Sequence, residues 1–199
     1  MEIRSFHEPD TGTWTYLLAD PDTGAAAVID PVWVYDPVGG QTDSDFIDTV
    51  LESARANGWR IEWVLETHAH ADHLSAAERV RSATGASLAC GAGITSVQRN
   101  FARVFNLPDL PTDGRQFDRL LREGDTLQLG GLRIRVIETP GHTRDSITYL
   151  VGDAAFIGDT LFAPGAGTAR CDFPGGDAGL LYDSVMKLYD LPPPVSYTH

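Results

Sequence analysis

The stretch that most constrains this chain is Thr67-His68-Ala69-His70-Ala71-Asp72-His73, which follows the apolar run Ile61-Glu62-Trp63-Val64-Leu65-Glu66. Three of the chain's 6 histidines and an aspartate stand together behind what reads as a buried strand. In extended backbone alternate residues point the same way, so His68 and His70 are expected to converge on one point. Leu74-Ser75-Ala76-Ala77-Glu78-Arg79-Val80 reads as helical, which puts Asp72 and His73 at a helix start, aimed at a second point close to the first. Imidazole with carboxylate and no thiolate suits zinc, iron or manganese. Histidines scattered over a surface would not cluster in this way. The stretch is read as a metal site.

Composition narrows the partners. A net charge of -13, with no basic stretch to offset it, argues against nucleic acid or an anionic membrane. A small anionic substrate stays compatible if a metal ion supplies the local positive centre. The opening Met1-Glu2-Ile3-Arg4-Ser5-Phe6-His7 has no basic segment followed by an apolar core, and no apolar run approaches the ~20 residues needed to span a bilayer. Cys90 and Cys171 are too few for a disulfide framework, so a cytoplasmic location is expected. At 199 residues the chain is expected to form a single domain, residues 1–199.

Taken in order, Arg4 to Glu8, Thr13 to Ala19 and Ala25 to Asp30 read as three strands, separated by the turn signals Pro9-Asp10-Thr11-Gly12 and Pro21-Asp22-Thr23-Gly24. Asp30 closes the third strand, as a turn residue or as a carboxylate that orients a ligand histidine. Val38 to Gln41 is read as a loop. A helix is then expected to about Asn57, with Phe46, Val50, Leu51 and Ala54 on one face and Gly58 as its stop. After the metal-binding stretch come a strand from Ala86 to Ala89 leading to a buried Cys90, and a helix from Ser96 to Phe105. Two hairpins follow: Thr126–Leu129 with Leu132–Glu138, and Ser146–Val151 with Ala154–Ile157. Each ends in a potential ligand, His142 and then Asp159. A Gly-rich loop leads to a helix over Ala178 to Asp190, and the strand-like Val195 to Thr198 ends in His199.

The ordered set His68, His70, Asp72, His73, His142, Asp159 and His199 resembles the metallo-β-lactamase superfamily over essentially the whole chain. The resemblance implies an α/β fold: an αβ/βα sandwich of two mixed sheets with outer helices, its C-terminus truncated relative to a family that continues for some tens of residues. Thr139-Pro140-Gly141-His142-Thr143 and Gly158-Asp159-Thr160-Leu161-Phe162 resemble the glyoxalase II and persulfide dioxygenase branch. Gly167 to Asp177, with Arg170-Cys171-Asp172-Phe173, is similar to the Arg-x-Asp-Phe segment of persulfide dioxygenases and β-lactamase-hydrolase-like proteins. Glyoxalase II usually carries a different pattern there.

Several expectations follow from that resemblance. One Fe(II) per chain would be held by His68, His142 and Asp159, and glutathione persulfide would be oxidised with O2 to sulfite and glutathione. His70 and Asp72 would act in catalysis, and with His73, His199 and Asp30 they would surround the iron and substrate, Asp72 holding His68 or a bound water. Arg170 and Asp172 would pair and fix the substrate loop, and Cys171 would pack in it, with a sulfur relay as the alternative. A homodimer is common among such relatives. The competing expectation is a glyoxalase II-like thioester hydrolase with one or two Zn(II), in which His70, Asp72, His73 and His199 complete a second site bridged by Asp159. A further alternative is an inactive, truncated metal-binding module.

Overall fold

The computed structural model describes residues 1–192 and 195–198, so His199 lies outside the described residues. The chain forms two compact units. The first holds Met1–Glu66, His70–Ala89 and Gln128–Leu132; the second holds Thr67–Ala69, Cys90–Leu127 and the described residues from Arg133 onward.

In the first unit, β1 (Glu2–His7), β2 (Trp14–Asp20), β3 (Ala25–Ile29), β6 (Arg60–Leu65) and β8 (Ser87–Gly91) lie in that order across a sheet. β3 pairs antiparallel with β2 and parallel with β6, so the sheet is mixed. Every residue of β3, Ala-Ala-Ala-Val-Ile, is buried, as a central strand covered on both faces requires. Glu8 closes the β1–β2 turn: its carboxylate accepts from the Asp10 and Thr11 amides at 3.1 and 2.7 Å.

The loop expected at Val38 to Gln41 is the turn, residues 37–40, of a hairpin not read from the sequence, β4 (Val32–Asp36) with β5 (Gln41–Asp43), so only Gln41 departs from it. Two further expectations are corrected. Leu74-Ser75 is not helical but a short strand, β7, paired antiparallel with Val32 and Trp33 of β4. The helix α2 starts only at Ala77 and runs to Thr84, because pairing with a distant strand overrides the local helical pattern. Finally, α1 (Asp45–Ala56) buries Ile47, Val50, Leu51 and Ala54, so Ile47 takes the place expected of Phe46.

The second unit contains α3 (Ile94–Val104), β9 (Arg119–Leu121), the first half of β10 (Thr126–Leu129) and a mixed sheet in which β11 (Leu132–Glu138, from Arg133 onward), β12 (Ile147–Val151), β13 (Ala154–Phe156) and β14 (Ser196–Thr198) lie in that order. β12 is antiparallel to both neighbours, whereas β13 and β14 run parallel. The helix α4 (Ala178–Tyr189) is capped by Asp177, whose carboxylate accepts from the Gly179 and Leu180 amides. Its Leu188 packs with Ala155 and Ile157 under Leu150, Leu161, Leu191 and Val195. Full burial of a leucine of this kind is worth about 2 kcal/mol.

Candidate metal centre

Two strand ends and one loop bring His68, His142 and Asp159 together. β6 delivers the chain to Thr67-His68, β11 leads through Thr139-Pro140-Gly141 to His142, and β13 ends at a single 3-10 turn, Gly158–Thr160, that carries Asp159. One ligand atom from each of the three lies within 4.8 Å of the others. His68 Nε2 is 3.9 Å and His142 Nε2 is 3.6 Å from Asp159 Oδ2. Both separations exceed a hydrogen bond, and metal–ligand bonds of about 2.1 Å place neighbouring ligands roughly 3 to 3.5 Å apart. The histidines are buried while the Asp159 side chain keeps 30% exposure, so the centre opens on its carboxylate side.

The opposite edges of the rings are fixed. His142 Nδ1 is 2.6 Å from the Arg170 carbonyl, which can only accept. Nδ1 therefore carries the proton, and Nε2 presents its lone pair toward Asp159. Thr67 Oγ1 lies 2.9 Å from His68 Nδ1, and the two rings meet edge to face with centroids 5.1 Å apart. Two glycines make the approach possible. A Cβ at Gly158 (φ +49) would stand 2.4 Å from Thr67 Oγ1 and 3.2 Å from His68 Nδ1. A Cβ at Gly141 (φ +142) would stand 2.3 Å from Leu181 Cα, because α4 packs directly on the turn that carries His142. Ser184 Oγ donates to the Pro140 carbonyl at 2.7 Å and ties the same helix to that turn.

The Arg170–Phe173 segment meets this centre through more than one residue. The Arg170 guanidinium donates to both Asp172 carboxylate oxygens, at 2.6 and 2.9 Å, and lies 4.7 Å over the Phe173 ring. Phe173 packs edge to face on His142 at 5.4 Å. Asp172 raises the Arg170 pKa and Arg170 lowers that of Asp172, so the exposed pair stays charged through the neutral range. Cys171 is a half-buried free thiol, and Cys90 is buried, as expected.

A second set of donors lies in the first unit. His70, Asp72 and His73 form one group whose ligand atoms fall within 4.8 Å, and Asp30, Glu66 and His70 form another. His68 and His70 thus fall in different groups, against the expectation of one shared point. Thr67–His68 and Ala71–His73 are bends and not strand, so the alternation of extended backbone does not apply. His70 Nε2 is 3.2 Å from Asp30 Oδ1 and 3.3 Å from Glu66 Oε2. Burial works against a charged imidazole there, but the Asp30 and Glu66 carboxylates outweigh it and raise the His70 pKa well above the ordinary histidine range. Asp30 holds a left-handed backbone (φ 49), fixed by its amide to the Leu65 carbonyl and by the Thr15 hydroxyl to its own carbonyl. Asp72 meets His73 Nδ1 at 3.2 Å and accepts from the Thr13 hydroxyl at 3.3 Å. The His73 hydrogen bond holds the Asp72 carboxyl well below the usual range. The Nε2 of His73 is buried without a hydrogen-bond partner among the described residues.

The chain matches the model of the metallo-beta-lactamase superfamily over residues 9–198. It belongs to the metallo-β-lactamase superfamily. Its fold resembles the crystal structure of ETHE1 from Myxococcus xanthus, with a TM-score of 0.79 and 32% identity over 100% of this chain and 76% of that one. A probable metallo-hydrolase of Burkholderia pseudomallei is 48% identical over 97% of this chain and 69% of its own length. The mitochondrial persulfide dioxygenase of Bos taurus is 31% identical over 96% of this chain and 64% of its own. Hydroxyacylglutathione hydrolases and β-lactamase hydrolase-like proteins are further relatives, and the chain spans 44% of the latter protein from Agrobacterium fabrum. Superfamily members have been solved in di-iron-bound and di-zinc forms. No helix among the described residues is long and apolar enough to cross a membrane.

Four contacts of the metallo-β-lactamase site were not read from sequence: Glu66 on His70, Thr67 on His68, Thr13 on Asp72 and Phe173 on His142. Glu66 and Thr67 carried a usable signal, since they immediately precede His68 at the end of an apolar run. Thr13 carried none.

Proposed function

We propose that the chain is a mononuclear non-haem iron(II) persulfide dioxygenase that converts glutathione persulfide, O2 and water into glutathione and sulfite. The observation that carries this reading is the donor set itself: two imidazole nitrogens and one carboxylate facing one point, the composition of the facial triad used by iron oxygenases. His68, His142 and Asp159 would hold the ion. Iron(II), when bound, supplies adjacent open positions for an anionic sulfur and for dioxygen. In the net reaction the sulfane sulfur loses four electrons to O2, its S–S bond breaks, and the glutathione thiol leaves with a proton.

The chain's own residues perform positioning. The Arg170 carbonyl and Thr67 hydroxyl fix the two rings, and tautomer control at His142 keeps its Nε2 unprotonated. The Arg170–Asp172 pair and the Phe173 ring hold the loop against His142, so Arg170 acts as a structural clamp. The buried histidines beside a half-open carboxylate leave one side for substrate. Similarity to a mitochondrial persulfide dioxygenase supports the reading. Cys90 and Cys171 are not joined in a disulfide, which fits a reducing cytoplasm.

One observation favours a second reading, a zinc-dependent thioester hydrolase: the His70–Asp72–His73 group, with a buried His73 Nε2, offers donors for another ion. Metal analysis with an oxygen electrode separates the two. Persulfide-dependent O2 uptake with one iron per chain is expected; anaerobic thioester cleavage with two metals would overturn the proposal.

A further inference from the structure

Glu66 is the last residue before the ligand loop, and its side chain is only 8% exposed. Glutamates are rarely buried unless they are paired. This one is paired with a residue inside the loop and with one after it. One carboxylate oxygen accepts a short hydrogen bond from the Ser75 hydroxyl, and the other lies 3.3 Å from His70 Nε2. Ser75 follows the loop, sits in β7 against Val32 of β4, and accepts from the Ala77 amide at 3.0 Å as α2 begins. The Glu66 amide donates to the Ala89 carbonyl at 3.0 Å, which anchors it to β8. The residue before the loop thus accepts a hydrogen bond from one after it and stands at ion-pair distance from one inside it, and the interval between Glu66 and Ser75 includes His68.

We infer that Glu66 is a positioning residue: its buried carboxylate staples the 67–74 loop shut and so sets how tightly the chain binds a divalent ion through His68, His142 and Asp159. This rests on the metal reading proposed above. A buried charge is expensive, and an apolar residue of the same volume would cost less if filling space were the only requirement. What the carboxylate adds is a fixed geometry. It closes the loop before any ion binds, so the ordering cost does not fall on metal binding. Residues that orient metal ligands without touching the metal typically account for 10- to 100-fold in affinity.

The test uses Co(II) as probe on the metal-stripped chain, with affinity read by chelator competition and geometry by the visible ligand-field bands. Glu66→Gln keeps the volume and an acceptor for Ser75 but removes the charge facing His70. It is expected to weaken Co(II) binding about tenfold and to speed hydrogen exchange across residues 67–75. Ser75→Ala removes the other arm, and a smaller loss of the same sign is expected; it also serves if replacement of Glu66 impairs folding. Unchanged Co(II) affinity in both variants, even with lowered thermal stability, would overturn the staple. Failure of the unaltered chain to bind Co(II), or binding that survives loss of both His142 and Asp159, would instead overturn the metal reading and the staple with it.

Discussion

At the His68–His142–Asp159 centre the imidazoles are steered by neutral groups, a threonine hydroxyl and a backbone carbonyl, and their Nε2 atoms face a carboxylate at 3.6 and 3.9 Å. In the His70 group the carboxylates do the steering. His70 Nε2 already lies between Asp30 and Glu66, and His73 Nδ1 already lies against Asp72. To load an ion, the first centre would have only to receive it, whereas the second would have to give up imidazole–carboxylate pairs, and those of His70 with Asp30 and Glu66 are buried, where breaking such a pair is costly. Identical residue types therefore make two different objects. On the proposed reading one would serve as a ligand set and the other as a brace for the loop that carries His68.

The largest effects should fall on the first. His142→Ala or Asp159→Ala is expected to abolish O2 uptake and stoichiometric iron; retained turnover in both would mean that the ligands are misassigned. Changes in the second group should be milder: Asp72→Ala or His73→Ala is expected to leave one metal per chain by elemental analysis. A drop from two metals to one would erase the contrast and favour the hydrolase. Gly158→Ala probes the join between Asp159 and His68. Its left-handed backbone alone costs about 1–2 kcal/mol in any residue with a Cβ, and the new methyl would displace Thr67 from His68, so thermal melting and iron affinity should fall together. The smallest effect is expected for Phe173→Leu, which removes the edge-to-face contact with His142 but leaves the Arg170 carbonyl bond in place. A severalfold rise in KM with little change in iron content would fit that role.

The convergence of three side chains was legible in the chain, because each stands at a strand end behind an apolar run or a glycine: His68 after β6, His142 after Pro140-Gly141, Asp159 after Gly158. Their partners were less so. Glu66 reads as the end of the apolar run, and only its place just before Thr67-His68 hints that its carboxylate turns inward. The Leu74-Ser75 strand depends on pairing across more than forty residues, between Trp33 and Leu74, which no periodicity reports. Phe46 and Ile47 compete for one face of α1, and only the packed sheet decides for Ile47. The split of His68 from His70 was hidden for the same reason: a run that looks extended bends at Thr67–His68 and Ala71–His73, among the candidate ligands.

The most direct test of the account is metal content and gas consumption measured on the same iron-loaded sample. One iron per chain, lost with His142 or Asp159, together with O2 uptake that begins only when glutathione persulfide is added and yields equimolar sulfite, is the predicted result. Two tightly held metals per chain, with cleavage of a glutathione thioester in the absence of oxygen, would contradict it.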